Sequence, residues 1–222
     1  MIIYQVLIIS AIPCLLFVAL IHHFSRHKKG SDILRLKLLG AGFITPIAAT
    51  VIEFITLKLC NYFPDELVIP ARAFLGIALV EEGLKLAVIL MIVKKRVDFK
   101  ELIDGPIYAI TAAMGFALLE NFIYVFGSQT PMAIALVRSI TAVPLHALAG
   151  GFMGLAIARE KSKSTHRIAG TFLIAVLIHG SYDWFLMDER ITDLLIFPLL
   201  AVGWLILGWI LRRARNRDIE FD

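Results

Sequence analysis

Apolar residues run through this 222-residue chain in long blocks, separated by short polar connectors such as His27–Asp32 and Lys161–Arg167. A helix that crosses a hydrocarbon core about 30 Å thick needs about 20 such residues. On that ruler the pattern predicts about seven transmembrane helices, over roughly 2–24, 33–57, 71–93, 104–126, 132–157, 168–187 and 192–211. A short turn, Met187–Ile191, separates the last two. The expected fold is all-α, a polytopic membrane helix bundle, with residues 1–222 forming one transmembrane domain.

Composition agrees with the pattern. Hydrophobic residues make up 59% of the chain and charged residues 18%, with a mean hydropathy of +0.83. A soluble domain is about half apolar and about a quarter charged, so a water-soluble globular enzyme is excluded. Cys14 and Cys60 make neither a disulfide framework nor a Cys-x-x-Cys metal knuckle. The first block lacks a basic leader region and a small-residue cleavage site, so it is expected to stay as a helix.

The formal charge of +4 and pI of 9.1 follow from topology. Seventeen of the 22 Lys and Arg residues fall in the connectors after spans 1, 3, 5 and 7 or at the start of span 2. Loops rich in Lys and Arg stay cytoplasmic. The N-terminus is therefore expected outside and the C-terminus in the cytoplasm, and nucleic acid is not an expected partner.

The functional clue is polarity where lipid should exclude it. Glu53, Glu81, Glu82, Lys85, Glu120, Arg138, His146, His179 and Asp183 all lie inside predicted spans. A charge at a helix centre costs about 2.5–3.5 kcal/mol. Such residues pair, neutralise or line a wet cavity. Glu53 and Arg138 read as structural, Arg138 as a partner for a carboxylate. Lys85 follows Glu81 by four residues and Glu82 by three, one helical turn from both. The trio reads either as an internal ion pair or as a general base tuned by its neighbours. His179 and Asp183, also four apart, share a helix face, so the carboxylate can orient the imidazole. At about 1.5 Å per residue, most of the set falls from mid-membrane to the outer half, with His146 deeper, which favours a site open to the outside. Gly150 and Gly154 mark close helix packing.

Several chemistries are missing from the text. There is no His-Glu-x-x-His, no Gly-x-Ser-x-Gly and no Gly-x-Gly-Asp, and the last span has no Lys for a retinal. Paired carboxylates and two His on neighbouring spans suit water activation for amide hydrolysis, directly or through a divalent metal. The alternative from another class is a proton-coupled transporter or channel that uses the same groups as a relay, although the two halves show no repeat. A bis-His haem at His146 and His179, or a sensor, also fits residue type alone.

Glu81-Glu82-x-x-Lys85, Phe116-x-x-x-Glu120, His146 and His179-x-x-x-Asp183, on four successive spans over about residues 71–187, resemble the PrsW family of bacterial intramembrane proteases. That family is distantly similar to the CAAX-prenyl-protease and bacteriocin-processing superfamily. The wider superfamily has His at the position of Glu120 and commonly Asn at that of Asp183, and both departures point to the PrsW branch.

The resemblance implies an intramembrane peptidase in the bacterial cell membrane. It would perform site-1 cleavage of a single-span, membrane-anchored anti-sigma factor on the extracytoplasmic side, leading to sigma-factor release in envelope stress. It further implies catalytic roles for Glu81, Glu82, Glu120, His146, His179 and Asp183, with Lys85 in support. Glu81 and Glu82 match the essential carboxylates, one of them a general base. His179 would polarise the carbonyl or stabilise the oxyanion, and Asp183 would orient it. Glu120 and His146 are either further water-activating groups or, with His179, ligands of a divalent metal such as zinc. Metal and metal-free mechanisms both stay open, and membrane lipid is the expected surrounding partner.

Overall fold

The computed structural model describes residues 2–24, 31–93, 103–159 and 165–219. The basic connector residues Arg26, Lys28, Lys29, Lys94, Lys95, Arg96, Lys100, Lys161 and Lys163 lie outside them. Helices follow in the order α1 (Ile2–Phe24), α2 (Ser31–Cys60), α3 (Asp65–Ala71), α4 (Leu79–Val93), α5 (Asp104–Phe126), α6 (Pro131–Ile140), α7 (Ala142–Arg159), α8 (Thr165–Met187) and α9 (Ile196–Ile219). A π-helical segment, Arg72–Ala78, joins α3 to α4, and a 3₁₀ turn, Asp193–Leu195, leads into α9. There is no strand among the described residues. The protein is a polytopic all-α membrane protein.

Among the described residues, six stretches are long and apolar enough to cross a membrane: Tyr4–Ile21, Asp32–Cys60, Asp104–Phe126, Pro131–Ile157, Ile168–Met187 and Asp193–Arg213. The expected span over 71–93 is different. Its helix starts earlier, at Asp65, where Pro64 precedes the first turn and Asp65 and Glu66 complement the helix dipole. It then widens into the π segment, where the Leu79 N–H donates to the Phe74 carbonyl, five residues back. The 15-residue α4 that follows carries Glu81, Glu82 and Lys85. Widened turns of this kind concentrate at functional sites.

The block expected as one span over 132–157 is two helices. Pro144 has no N–H for the Ile140 carbonyl, one turn before it, and Thr141 breaks the helix with φ −120° and ψ −67°. The Thr141 hydroxyl returns a hydrogen bond to the Val137 carbonyl (2.8 Å) and lies 3.0 Å from the Tyr182 hydroxyl.

α5 is the central helix, and small residues let its neighbours close in. Ala109, Ala112, Ala113, Phe116 and Ala117 are buried. α2 packs on one flank, where a Cβ on Gly115 would stand 2.1 Å from the Leu39 carbonyl oxygen. α7 packs on the other, with Gly150 against the Ala109 backbone and Gly154 against that of Pro106, as the small-residue spacing predicts. The outer faces of α2 and α9 expose Ile44, Ile47, Val51, Leu205 and Trp209, as lipid-facing surfaces do. Gly115→Ala is expected to cost about 1–3 kcal/mol by overpacking. Gly170→Ala, where a Cβ meets nothing within 4 Å, is the neutral control. Thermal unfolding in detergent, with the two variants coming out alike, would contradict this packing.

The turn after α8 is held by Asp188. Its carboxylate accepts from Arg190 Nε and Nη2, both at 2.8 Å, from the Arg190 backbone N–H at 3.1 Å and from the Trp184 indole at 3.1 Å. The Arg190 hydrogen bonds hold the Asp188 carboxyl well below the usual carboxylate range. A depressed carboxylate contributes stability above its unfolded pKa of about 3.9 and loses it as pH falls through its folded value. Order in this turn should therefore persist well below about pH 4. Asp188→Asn should speed amide exchange at Ile191 already at neutral pH; unchanged exchange would mean that the turn does not depend on this charge.

Candidate active site

Four helices deliver the polar set to one point. The π segment precedes α4 and sets the face on which Glu81 and Glu82 project, about 100° apart. α5 supplies Phe116 and Glu120, α7 supplies His146 in its first turns, and α8 supplies His179 and Asp183. Gly180 lets the Phe74 ring lie against α8 beside His179, since a Cβ there would stand 2.2 Å from that ring. Glu81, Glu82, Lys85, Glu120, His146 and His179 are all buried.

Lys85 is the hub. Its ammonium donates to Glu81 Oε2 at 3.1 Å and Glu82 Oε1 at 2.7 Å, the two contacts that its spacing predicts. It also lies 2.9 Å from His146 Nδ1 and 3.9 Å above the Phe116 ring. An ammonium has donors only, so His146 Nδ1 accepts and the ring proton sits on Nε2. That N–H donates to Glu120 Oε2 at 2.6 Å. Arg138 grips the same oxygen at 2.8 Å, donates through Nε to Asn121 Oδ1 at 2.8 Å and covers the Tyr124 ring at 4.0 Å. Arg138 is thus the carboxylate's partner.

His179 completes the set. Its Nδ1–H donates to Glu82 Oε1 at 2.7 Å. Its Nε2 faces Asp183 Oδ2 at 3.4 Å and Glu81 Oε2 at 3.8 Å, so Asp183 stands beside the imidazole as the spacing predicts. The two imidazoles meet edge to face, 5.2 Å apart. Glu82 Oε2 is buried and has no hydrogen-bond partner among the described residues. Glu53 lies apart on α2, with Oε1 buried and likewise unpartnered.

Ligand atoms of Glu81, Glu82, His146 and His179 all lie within 4.8 Å of one another. Two carboxylates and two imidazoles are an oxygen and nitrogen donor set of the kind that zinc takes, and the orphaned Glu82 Oε2 adds a spare donor. The residues fit a divalent metal. The fit differs from the expected trio of Glu120, His146 and His179. Glu120 stands behind His146, where the imidazole N–H and Arg138 occupy its Oε2, and Glu81 and Glu82 take its place in the set. Carboxylate–imidazole pairs of this kind orient metal-binding His residues.

Asn121 and Tyr124 went unmarked in the sequence. Both sit one turn or less from Glu120 and hold its Arg138. The only available signal is their spacing on α5, and a lone Asn or Tyr in an apolar span also reads as packing.

The profile of the family described as PrsW family intramembrane metalloprotease matches residues 32–210. The chain belongs to the PrsW family. Protease PrsW of Oceanobacillus iheyensis is 30% identical over 190 residues, covering 84% of this chain and 85% of the relative. Protease PrsW of Clostridioides difficile is 27% identical over 207 residues, covering 90% and 87%. Protease PrsW of Bacillus subtilis is 35% identical over 149 residues, covering 65% and 66%. No solved structure matches. As a PrsW family member, the chain is an intramembrane peptidase.

Proposed function

We propose that this PrsW family protease makes the site-1 cut in a single-span, membrane-anchored anti-sigma factor on the extracytoplasmic side of a bacterial cell membrane, and so begins sigma-factor release under envelope stress. The motif resemblance supports the substrate class. The Lys and Arg census supports an outward-facing site, because the basic connectors are expected in the cytoplasm and most of the polar set lies from mid-membrane to the outer half of its spans.

The observation that carries the mechanism is the unequal standing of the two glutamates. Glu82 Oε1 already accepts from both Lys85 and His179, and this side chain is fully buried. Glu81 has a single, longer hydrogen bond, from Lys85 at 3.1 Å, and lies nearer the surface of the cluster. Glu81 is therefore the general base. It takes a proton from water as the water oxygen attacks the scissile carbonyl carbon, then returns that proton to the leaving amine nitrogen as the C–N bond breaks.

His179 faces the developing oxyanion through Nε2, since Nδ1–H is committed to Glu82. A proton on Nε2 would be donated there, with the Glu82 and Asp183 carboxylates on either side of the ring. Preorganised donors of this kind account for much of the catalysis of acyl transfer. Glu120 fixes the ring of His146 by its hydrogen bond. In place of a proton on His179 Nε2, a divalent ion held by Glu81, Glu82, His146 and the neutral His179 ring would supply Lewis acidity toward the carbonyl and the attacking water.

The substrate reading is tested by co-reconstitution with a single-span anti-sigma factor bearing distinct tags on each side of the membrane. A cut outside or within the outer half of its span is expected. Fragments ending on the cytoplasmic side would overturn the orientation, and an intact substrate alongside cleavage of another single-span protein would overturn the substrate class.

A further inference from the structure

Lys85 stands among the very atoms that a metal would need. Its ammonium reaches three of the four side chains of the donor set, at 3.1, 2.7 and 2.9 Å. His146 makes the conflict chemical. Its Nε2 carries the proton donated to Glu120, so Nδ1 holds the ring's one available lone pair, and that lone pair is spent on Lys85. Glu82 Oε1 is already shared between Lys85 and His179. Charge gives the same answer. The Lys85 ammonium already stands within 3.1 Å of both carboxylates, and a dication placed beside it in a buried site would face it as a like charge.

We propose that the Lys85 ammonium and a divalent metal are mutually exclusive occupants of this donor set, so Lys85 sets the metal affinity of this protease. The inference rests on the metal-binding reading of the donor set. The Phe116 ring stabilises the ammonium in place through its face. Metal entry requires the ammonium to leave His146 Nδ1, which lowers the apparent affinity below that of the bare donors.

The test is cobalt(II) titration of the purified full-length chain, followed by its visible absorption, in wild type, Lys85→Met and Lys85→Arg. A metal entering wild type displaces a charge-assisted hydrogen bond that Lys85→Met lacks, so Lys85→Met should bind about tenfold or more tightly than wild type. Lys85→Arg keeps the cation and should not gain affinity. Adding His146→Gln to Lys85→Met should abolish the gain. Metal-free Lys85→Met should melt lower than wild type and recover when cobalt is added. If it folds only when purified with cobalt, one cation has replaced the other and the proposal stands; failure to fold even with cobalt overturns it. Equal or weaker cobalt binding by Lys85→Met also overturns it. Absence of cobalt binding in every variant overturns it together with the metal site, while cleavage that persists in chelator and is lost in Glu81→Gln would leave the peptidase mechanism intact.

Discussion

Glu81→Gln is expected to lower cleavage of a membrane substrate by about 10²–10⁴-fold, the usual contribution of a placed general base, with little change in thermal stability. The substitution keeps the shape and removes the ability to take a proton. Lys85 retains its shorter contact to Glu82 at 2.7 Å and its contact to His146, so the hub stays in place. Glu82→Gln, by contrast, weakens the acceptor of both Lys85 and His179, and its activity loss should come with a lower melting temperature. The pair of variants separates chemistry from scaffolding. Activity and melting temperature are measured on the same purified samples, and the assignment of the base to Glu81 fails if the two variants behave identically.

Arg138→Met is expected to cost about 3–5 kcal/mol, the range for removing one partner of a buried ion pair. Arg138 neutralises Glu120 and ties down Asn121, and Asn121 in turn donates to the Ser10 carbonyl of α1 at 3.4 Å. Its loss leaves the Glu120 carboxylate with only the His146 N–H. The double variant Arg138→Met/Glu120→Gln removes the orphaned charge and should recover part of the lost stability. Coupled neighbours depart from additivity in this way. Strictly additive losses in thermal unfolding would show that Arg138 acts elsewhere.

The parts of this protein that were legible in its sequence are those set by one helix at a time. Blocks of about 20 apolar residues have few uses outside a bilayer, and the crossings at Asp104–Phe126 and Ile168–Met187 lie where the pattern places them. The contacts of Lys85 with Glu81 and Glu82 follow from the same helical arithmetic. The π segment Arg72–Ala78 was hidden, because a shift in backbone hydrogen-bond register leaves no mark on composition. The break at Thr141 had a visible cause in Pro144, but a long apolar block absorbs a proline without interruption.

Relations between helices were the least legible. Glu120 stands one turn after Phe116, which places it toward the site. Nothing in that spacing says that Arg138, from α6, claims its oxygen and moves it out of the donor set. His146 is a single imidazole in an apolar stretch, which reads as core until Glu120 and Lys85 are seen on its two nitrogens.

The most direct test of hydrolysis by the Glu81 cluster is cleavage of a single-span substrate by the reconstituted protein in ¹⁸O-labelled water, with fragments read by mass spectrometry. Wild type should yield two fragments, with label in the new C-terminal carboxylate of the N-terminal piece, and Glu81→Gln should leave the substrate whole. Undiminished fragments from folded Glu81→Gln, or fragments from wild type without label, would contradict water activation at Glu81.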